Sequence, residues 1–270
     1  LGKLNRSLIM TSISSFGQTG PYRDYRSCDL VASALGGQMY VCGDMDTPPL
    51  RPYGEQARLV ASIFGAIGTL MALHHRHFSG RGQFVDIAVH ECLAGVIEHV
   101  NVRFLYEGIV ARRQGSLHWD GAFRVFPCRD GYILLSLFRE WDTIVEWLDS
   151  EGMAADLKDE RWRDPEARRR EAEHVIEVLE SWTREHAAAE LMERAQLMGL
   201  PWAVVNSIRS VGENRQLLER GFFVEVAHPE EGASFAYPGA PYRLSRTPWR
   251  TLRRAPLIGE HNEEILGGEL

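Results

Sequence analysis

Among the side chains able to do chemistry, Glu91 has the most legible setting. Residues 84–89, FVDIAV, form a short apolar run with one charge, as expected of a strand buried on both faces of an α/β sheet. Gly80 and Gly82 break the helical pattern before it, and His90-Glu91-Cys92 opens a new helical stretch. The pattern thus delivers a carboxylate to the C-terminal end of a strand and the first turn of a helix. In open α/β sheets ligands bind there, and a helix start adds N–H donors and a positive dipole end. Asp86 is the nearest rival carboxylate, but it lies within the strand.

A second strand-plus-loop unit lies near the start of the chain. Residues 8–13, LIMTSI, are apolar and β-branched and read as a buried strand. They run into SSFGQTGPY at 14–22, a polar loop punctuated by glycine and proline. Such a loop is either a place for a ligand or a plain connection, and spacing alone leaves both open. His74, His75 and His77 crowd the end of a helical stretch; no Asp, Glu or Cys joins them at ligand spacing, so they read as cations suited to a helix C-terminus and no metal is expected. Cys28, Cys42, Cys92 and Cys128 include no CxxC pair, which suits reduced thiols in a cytosolic protein better than disulfides or a zinc site.

The elements that must position these groups follow from periodicity. A helix is expected over 28–39, ended by Gly36-Gly37, and a long helix rich in Ala and Gly over 56–77. Its apolar run, 59–73, is shorter than the roughly 20 residues of a membrane span and reads as a buried helix. The helix containing Glu91 should run to about Tyr106. After a polar stretch the texture changes: residues 123–128 and 132–137 flank Arg129-Asp130-Gly131, a hairpin with Asp-Gly at its turn. Helices follow over 140–148 and 165–179, and a third is opened by Thr183 as N-cap and ended before Gly199. Short strands are expected at 202–206 and 222–227, an extended connector at 229–256, and a final helix within 258–270.

The chain has 270 residues, a net charge of −7, 44% hydrophobic and 25% charged residues, which suits a soluble globular protein. The acidic balance disfavours a general nucleic-acid binder. The chain opens on Leu1 and enters a strand-like run almost at once, as the interior of a longer protein would.

GRGQFVDIAVHE at 80–91 resembles the hallmark segment of the family III CoA-transferases, the CaiB/BaiF type, a group that includes formyl-CoA transferase, carnitine CoA-transferase and α-methylacyl-CoA racemase. SISSFGQTGPY at 12–22, CDLVASALGG at 28–37, GLPWAVVNSI at 199–208, RGFFVEVAHP at 220–229 and APLIGEHNEEIL at 255–266 resemble that family in the expected order. The resemblance implies an α/β fold: a Rossmann-like large domain, here incomplete at its N-terminus, made of 1–110 and completed by the C-terminal helix after the connector at 229–270. A linker, 111–122, leads to a smaller α/β domain, 123–228. Two chains interlock in the family, so an intertwined homodimer is expected, or a hetero-oligomer with a chain that supplies the missing part.

The resemblance also assigns chemistry. It makes Glu91, normally Asp in the family, the nucleophile of an acyl-CoA:carboxylate CoA-transferase, working through an anhydride and a CoA-thioester on the enzyme. Coenzyme A and acyl-CoA then enter as substrates, with a small carboxylic acid as partner and no tightly bound cofactor. Arg26 lies where a cation can meet the CoA phosphates, Asp29 matches an acidic residue near the site, and Gln18 and Gly20 belong to the loop that lines the acyl pocket. Cys28 stands where the racemase branch has His, which argues against racemisation. The alternatives are a non-catalytic or auxiliary subunit, suggested by the Glu-for-Asp exchange, and racemase or lyase chemistry on an acyl-CoA.

Overall fold

A computed structural model describes residues 2–97, 99–118, 123–137, 140–250 and 253–267. The chain divides into two compact units, Leu1–Ala203 and Val204–Leu270.

The first unit begins with the frame around Glu91: β1 (Met10–Ser14), α1 (Asp29–Leu35), α2 (Gln56–Ser79), β2 (Phe84–Ala88), α3 (Val89–Gly95) and α4 (Val100–Glu107). Strands β1 and β2 pair in parallel, Met10 opposite Phe84 through Ser14 opposite Ala88. Parallel strands need a crossover, and α2 supplies it. Because side chains alternate across a strand, Thr11, Ile13, Val85 and Ile87 share the face toward α2. Thr11 Oγ1 meets Thr69 Oγ1 at 2.6 Å. A Cβ on Gly65 would lie 2.7 Å from the Ile13 side chain, and one on Gly68 2.9 Å from that of Val85. Small residues therefore let the helix settle on the strands. Ala57 and Ala61 of α2, Ala32 of α1 and Val89, Cys92 and Leu93 of α3 form one buried cluster.

Several expectations are corrected here. The long helix packs on its small side chains, Ala57, Ala61, Gly65 and Ala72, and turns its large ones outward: Ile63 is 61% and Met71 67% exposed. It is thus not the buried helix expected. At 24 residues it is, by length and composition alone, long and apolar enough to cross a membrane. Neither strand is buried on both faces, since Met10, Ile13 and Phe84 are about half exposed. The helix expected from Glu91 to Tyr106 is two helices. Val96 N–H closes α3 on the Leu93 carbonyl at 3.1 Å, and the Asn101 side chain takes the Ala94 carbonyl at 2.5 Å, so the backbone groups of the α3 end are satisfied without continuing.

Farther along lie β3 (Leu117–His118), β4 (Phe123–Cys128), β5 (Gly131–Ser136), α5 (Trp141–Ser150), α6 (Pro165–Arg170), α7 (Ala172–Arg184), α8 (Ala188–Leu197) and β6 (Ala203–Val204), with sheet order β3-β4-β5-β6. The hairpin is present, but Cys128 pairs with Gly131, so the turn is Arg129-Asp130 rather than Asp130-Gly131. Residues 119–122 of the expected linker lie outside the described residues. Trp147, Trp182 and Trp202 pack together, the first and last stacked at 5.6 Å. Glu151 accepts hydrogen bonds from the indole N–H groups of Trp147 and Trp182 at 2.8 and 2.7 Å. Thr183 is no N-cap: it is buried inside α7, donating to the Pro127 carbonyl at 2.8 Å. The helix after it begins from Ala187, which offers no side-chain cap; Asp130 instead accepts the Ala188 N–H at 2.8 Å.

The second unit holds α9 (Ile208–Gly212), α10 (Arg215–Glu219), β7 (Phe223–His228), β8 (Ala233–Pro238) and α11 (Asn262–Leu266). The connector is not a plain linking segment. Its first part is β8, antiparallel to β7, and Arg254 binds both Glu230 and Glu260 at 2.7 Å.

Candidate functional site

Glu91 is the third residue of α3 and is exposed. Ala88 precedes the helix without a side-chain cap, so the first-turn N–H groups depend on other partners. One is provided by the β1 loop: His90 N–H donates to the Ser15 carbonyl at 3.2 Å. The His90 ring makes a second link, Nδ1 lying 3.3 Å from the same carbonyl. A carbonyl only accepts, so Nδ1 carries the proton in that contact. Cys92, directly after Glu91, is buried in the core cluster; burial first, and the Glu91 charge second, push its thiol up.

The loop 15–18 is held from its other end by β2. Asp86 lies on the strand face opposite α2, with Ser12 across the ladder. Its Oδ2 accepts the Gln18 backbone N–H at 2.8 Å, while Gln18 Nε2 donates to Ser12 Oγ at 2.8 Å. The Gln18 side chain is therefore turned onto the strand. Phe16 is buried between these ties, with its ring 5.3 Å from that of His90 and 6.0 and 6.4 Å from those of Tyr22 and Tyr25. Tyr22 and Tyr25 stack on each other at 4.8 Å. Gly20 sits in the left-handed region, φ 85°, in the exposed part of the loop.

The other predicted residues cluster at the start of α1. Cys28 is exposed and occupies the N-cap position without capping. Arg26 is exposed two residues earlier. Asp29 is buried, and its carboxylate faces α2: Oδ1 accepts the Arg58 backbone N–H at 3.1 Å, and Arg51 lies 3.7 Å from Oδ2. Arg58 is the third residue of α2, whose own flanking Glu55 makes no cap. Asp29 thus caps the neighbouring helix. Helix α1 meets α3 at its opposite end. A Cβ on Gly36 would lie 2.8 Å from Leu93 Cβ and 3.0 Å from the His90 carbonyl. Seven residues of helix span about 10 Å, so Cys28 and Asp29 stand roughly that far along α1 from the contact with the Glu91 turn.

The structure therefore brings Gln18 to the strand that leads into Glu91, and sets Cys28 and Asp29 at the far end of the helix packed against it. Ser15, Phe16 and His90 join the site without having been singled out in the sequence. The period of two that puts Ser12 and Asp86 on one strand face is a sequence signal for the loop's anchor; nothing comparable marks Ser15, whose contribution is a backbone carbonyl. Among the described residues, Ser14 Oγ and Gln38 Oε1 are buried polar side-chain atoms without a hydrogen-bond partner. No group of three His, Cys, Asp or Glu side chains among the described residues is placed to hold a metal ion.

Comparison with known proteins gives consistent matches. The family profile described as CoA-transferase family III matches residues 1–262. A succinyl-CoA:(R)-benzylsuccinate CoA-transferase subunit, BbsE of Thauera aromatica, is 34% identical over 98% of this chain and 67% of its own length. A succinate–glutarate CoA-transferase of Agrobacterium fabrum is 29% identical over 97% of this chain and 66% of its own length. The crystal structure of a CaiB/BaiF family protein from Brucella suis superposes with a TM-score of 0.87 at 25% identity, covering 99% of this chain and 69% of that one. The chain spans about two thirds of the length of these curated relatives.

Proposed function

Since the chain belongs to CoA-transferase family III, we propose that it moves coenzyme A from an acyl-CoA to a small carboxylic acid, with Glu91 as the covalent centre. The observation that carries this reading is the position of Glu91, an exposed carboxylate in the first turn of α3 directly after β2 of a parallel pair. A Glu91 carboxylate oxygen attacks the thioester carbonyl, the C–S bond breaks, and a mixed anhydride forms as CoA thiolate leaves. The thiolate attacks the Glu91 carbonyl of that anhydride, releasing the donor acid and leaving a glutamyl-CoA thioester. The acceptor carboxylate attacks this thioester, and the freed thiolate then takes the acceptor acyl group, returning Glu91 as a carboxylate. Splitting one transfer into such exchanges is the general advantage of covalent catalysis. The first two relatives described above act on succinyl-CoA or succinate with a second dicarboxylic acid, by their names, so a succinyl donor and a dicarboxylate acceptor are the first pair to test.

Arg26, exposed beside the loop, meets the CoA phosphates in this reading, and Gln18, Gly20, Cys28 and Asp29 border the acyl and CoA path. Coenzyme A is a substrate and no cofactor stays bound. The large domain comprises 1–110 with the C-terminal segment 229–270, the small domain 123–228, and two chains interlock in the cytoplasm.

Incubation with succinyl-CoA followed by hydroxylamine or borohydride trapping and peptide mass spectrometry tests the centre. A label on the peptide carrying Glu91, absent in Glu91→Gln, is expected. A folded protein that binds CoA with no adduct at Glu91 would overturn it. That outcome favours the second reading, an auxiliary subunit whose partner carries the active carboxylate. Two observations support it: Glu stands where the family resemblance puts Asp, and the 34% identical relative is itself named as a subunit.

A further inference from the structure

Two side chains flank the turn that presents Glu91, and both hold the same short loop. Asp86, five residues before Glu91 on β2, accepts the Gln18 N–H at 2.8 Å. His90, immediately before Glu91 on α3, donates to the Ser15 carbonyl from its backbone N–H at 3.2 Å and from ring Nδ1 at 3.3 Å. The loop is thus tied at both ends of four residues to the one segment, 86–90, that leads into Glu91. Phe16, between the ties, is buried and lies edge-on to the His90 ring at 5.3 Å. Gln18 is further pinned by its own side chain to Ser12 on β1.

The geometry points to Asp86 and His90 as positioning residues that fix the distance between the 15–18 loop and the Glu91 carboxylate. This rests on the reading of Glu91 as the covalent centre and adds to it two residues that act through others. Physically, Glu91 is exposed at the start of a seven-residue helix, a setting with little rigidity of its own. A substrate carbonyl held against the loop meets the carboxylate at a fixed separation only if loop and helix start move together. Asp86 supplies an acceptor to a backbone N–H and His90 a donor to a backbone carbonyl, so the two ties are of opposite polarity and cannot exchange partners to slip the register. Because positioning requires only hydrogen bonding, the conservative variants should serve. Asn at 86 keeps an acceptor oxygen where Oδ2 stands, and Asn at 90 keeps an amide donor near the place of Nδ1.

The test uses the whole chain with Asp86→Ala, Asp86→Asn, His90→Leu and His90→Asn. Hydrogen exchange at the Gln18 amide reads the Asp86 tie without any turnover, and succinyl-CoA steady-state kinetics read its consequence. The Ala and Leu variants should lose about 10²-fold in kcat, the scale of a misplacement of about 1 Å, with KM changed by less than about threefold; both Asn variants should recover most of the rate. Asp86→Ala should also raise Gln18 exchange. If Asp86→Ala does not fold, Gly17→Ala, which strains the same loop at φ 83°, replaces it. Unchanged Gln18 exchange in Asp86→Ala, a loss confined to KM, or Asn variants as poor as Ala and Leu would each overturn the assignment. A wild-type chain that folds but never labels at Glu91 refutes the functional reading instead, while the Gln18 exchange result still decides whether Asp86 holds the loop.

Discussion

Gly36→Ala is the sharpest probe of how the fold sets the position of Glu91. Gly36 has an ordinary helical φ of −75°, so alanine is not strained there by its backbone. The obstacle is space: the new Cβ would lie 2.8 Å from Leu93 Cβ and 3.0 Å from both the His90 and the Ala32 carbonyl oxygens. Carbon atoms pack best at about 3.5–4.0 Å, so α1 and α3 must separate by roughly 1 Å. None of these three atoms is the free end of a flexible side chain, which leaves backbone movement as the remedy. Overpacking of this kind costs about 1–3 kcal/mol. A shift of about 1 Å in the turn of His90 and Glu91 is worth about 10²-fold in rate. Urea denaturation should show the stability loss and CoA-transfer kinetics a fall in kcat. Gly95→Ala is the matched control: among the described residues, no atom beyond its chain neighbours and its own helix backbone lies within 4 Å of where its Cβ would stand, so it should gain up to about 1 kcal/mol from helix propensity and leave the rate alone. Gly36→Ala with the urea midpoint and kcat of wild type would refute the idea that α1 sets the place of α3. A destabilised variant with full kcat would keep the packing but sever it from the site.

Asp29→Ala should destabilise by about 1–3 kcal/mol, the range for stripping a charged partner from a part-buried N–H, while Asp29→Asn should lose less than about 1 because it keeps the acceptor for Arg58; wild-type stability in the Ala variant combined with a raised KM for acyl-CoA would show a ligand role instead of a cap. Asp156 is held at about pH 2, below the ordinary 3.8, foremost by the hydrogen bond from His174 and also by Arg161 and Trp162. Its folded-state value is depressed, so its contribution is present above about pH 4 and disappears as pH falls to 2; in acid titrations of stability, the deficit of Asp156→Asn at pH 6 should close over that window, and a deficit unchanged at pH 2 would contradict the assignment. Cys28 is exposed whereas burial pushes the Cys128 thiol up to about 11, so iodoacetamide at pH 8 should label Cys28 well before Cys128 by peptide mass spectrometry; the reverse order would contradict the structure.

What the sequence revealed, and what it hid, divide by the range of the physics. The turn from β2 into α3 was legible because glycines, an apolar run and a charged helix start are local signals, and the parallel pairing of β1 with β2 then follows from the helix between them. The outward face of α2 was not. Periodicity marks a stripe as apolar, but here the glycines and alanines, not the large side chains, make the close contact, and a hydropathy reading weights them the wrong way. Thr183 was misread for a related reason. A Thr before Arg-Glu-His fits a helix start locally, yet its hydroxyl is bound to Pro127, 56 residues away, and tertiary contact overrides local preference.

The same division explains the site. Glu91 was found from its own neighbours in sequence, but the side chains that govern its surroundings act on distant backbone. Asp29 reaches 29 residues to Arg58, Asp86 reaches back 68 residues to Gln18, and His90 reaches 75 residues to Ser15. Each of these partners is a main-chain N–H or carbonyl, which every residue but proline offers in full, so no residue type at the receiving end could signal the contact. A carboxylate such as Asp29, whose setting in sequence shows only its near neighbours, is thus also the cap of a distant helix. This matters for reading Glu91 itself. Asp29 and Asp86 are engaged by backbone donors, whereas Glu91 stands exposed, and that contrast, more than the family resemblance, is why among these three carboxylates Glu91 is the one to expect at the chemistry.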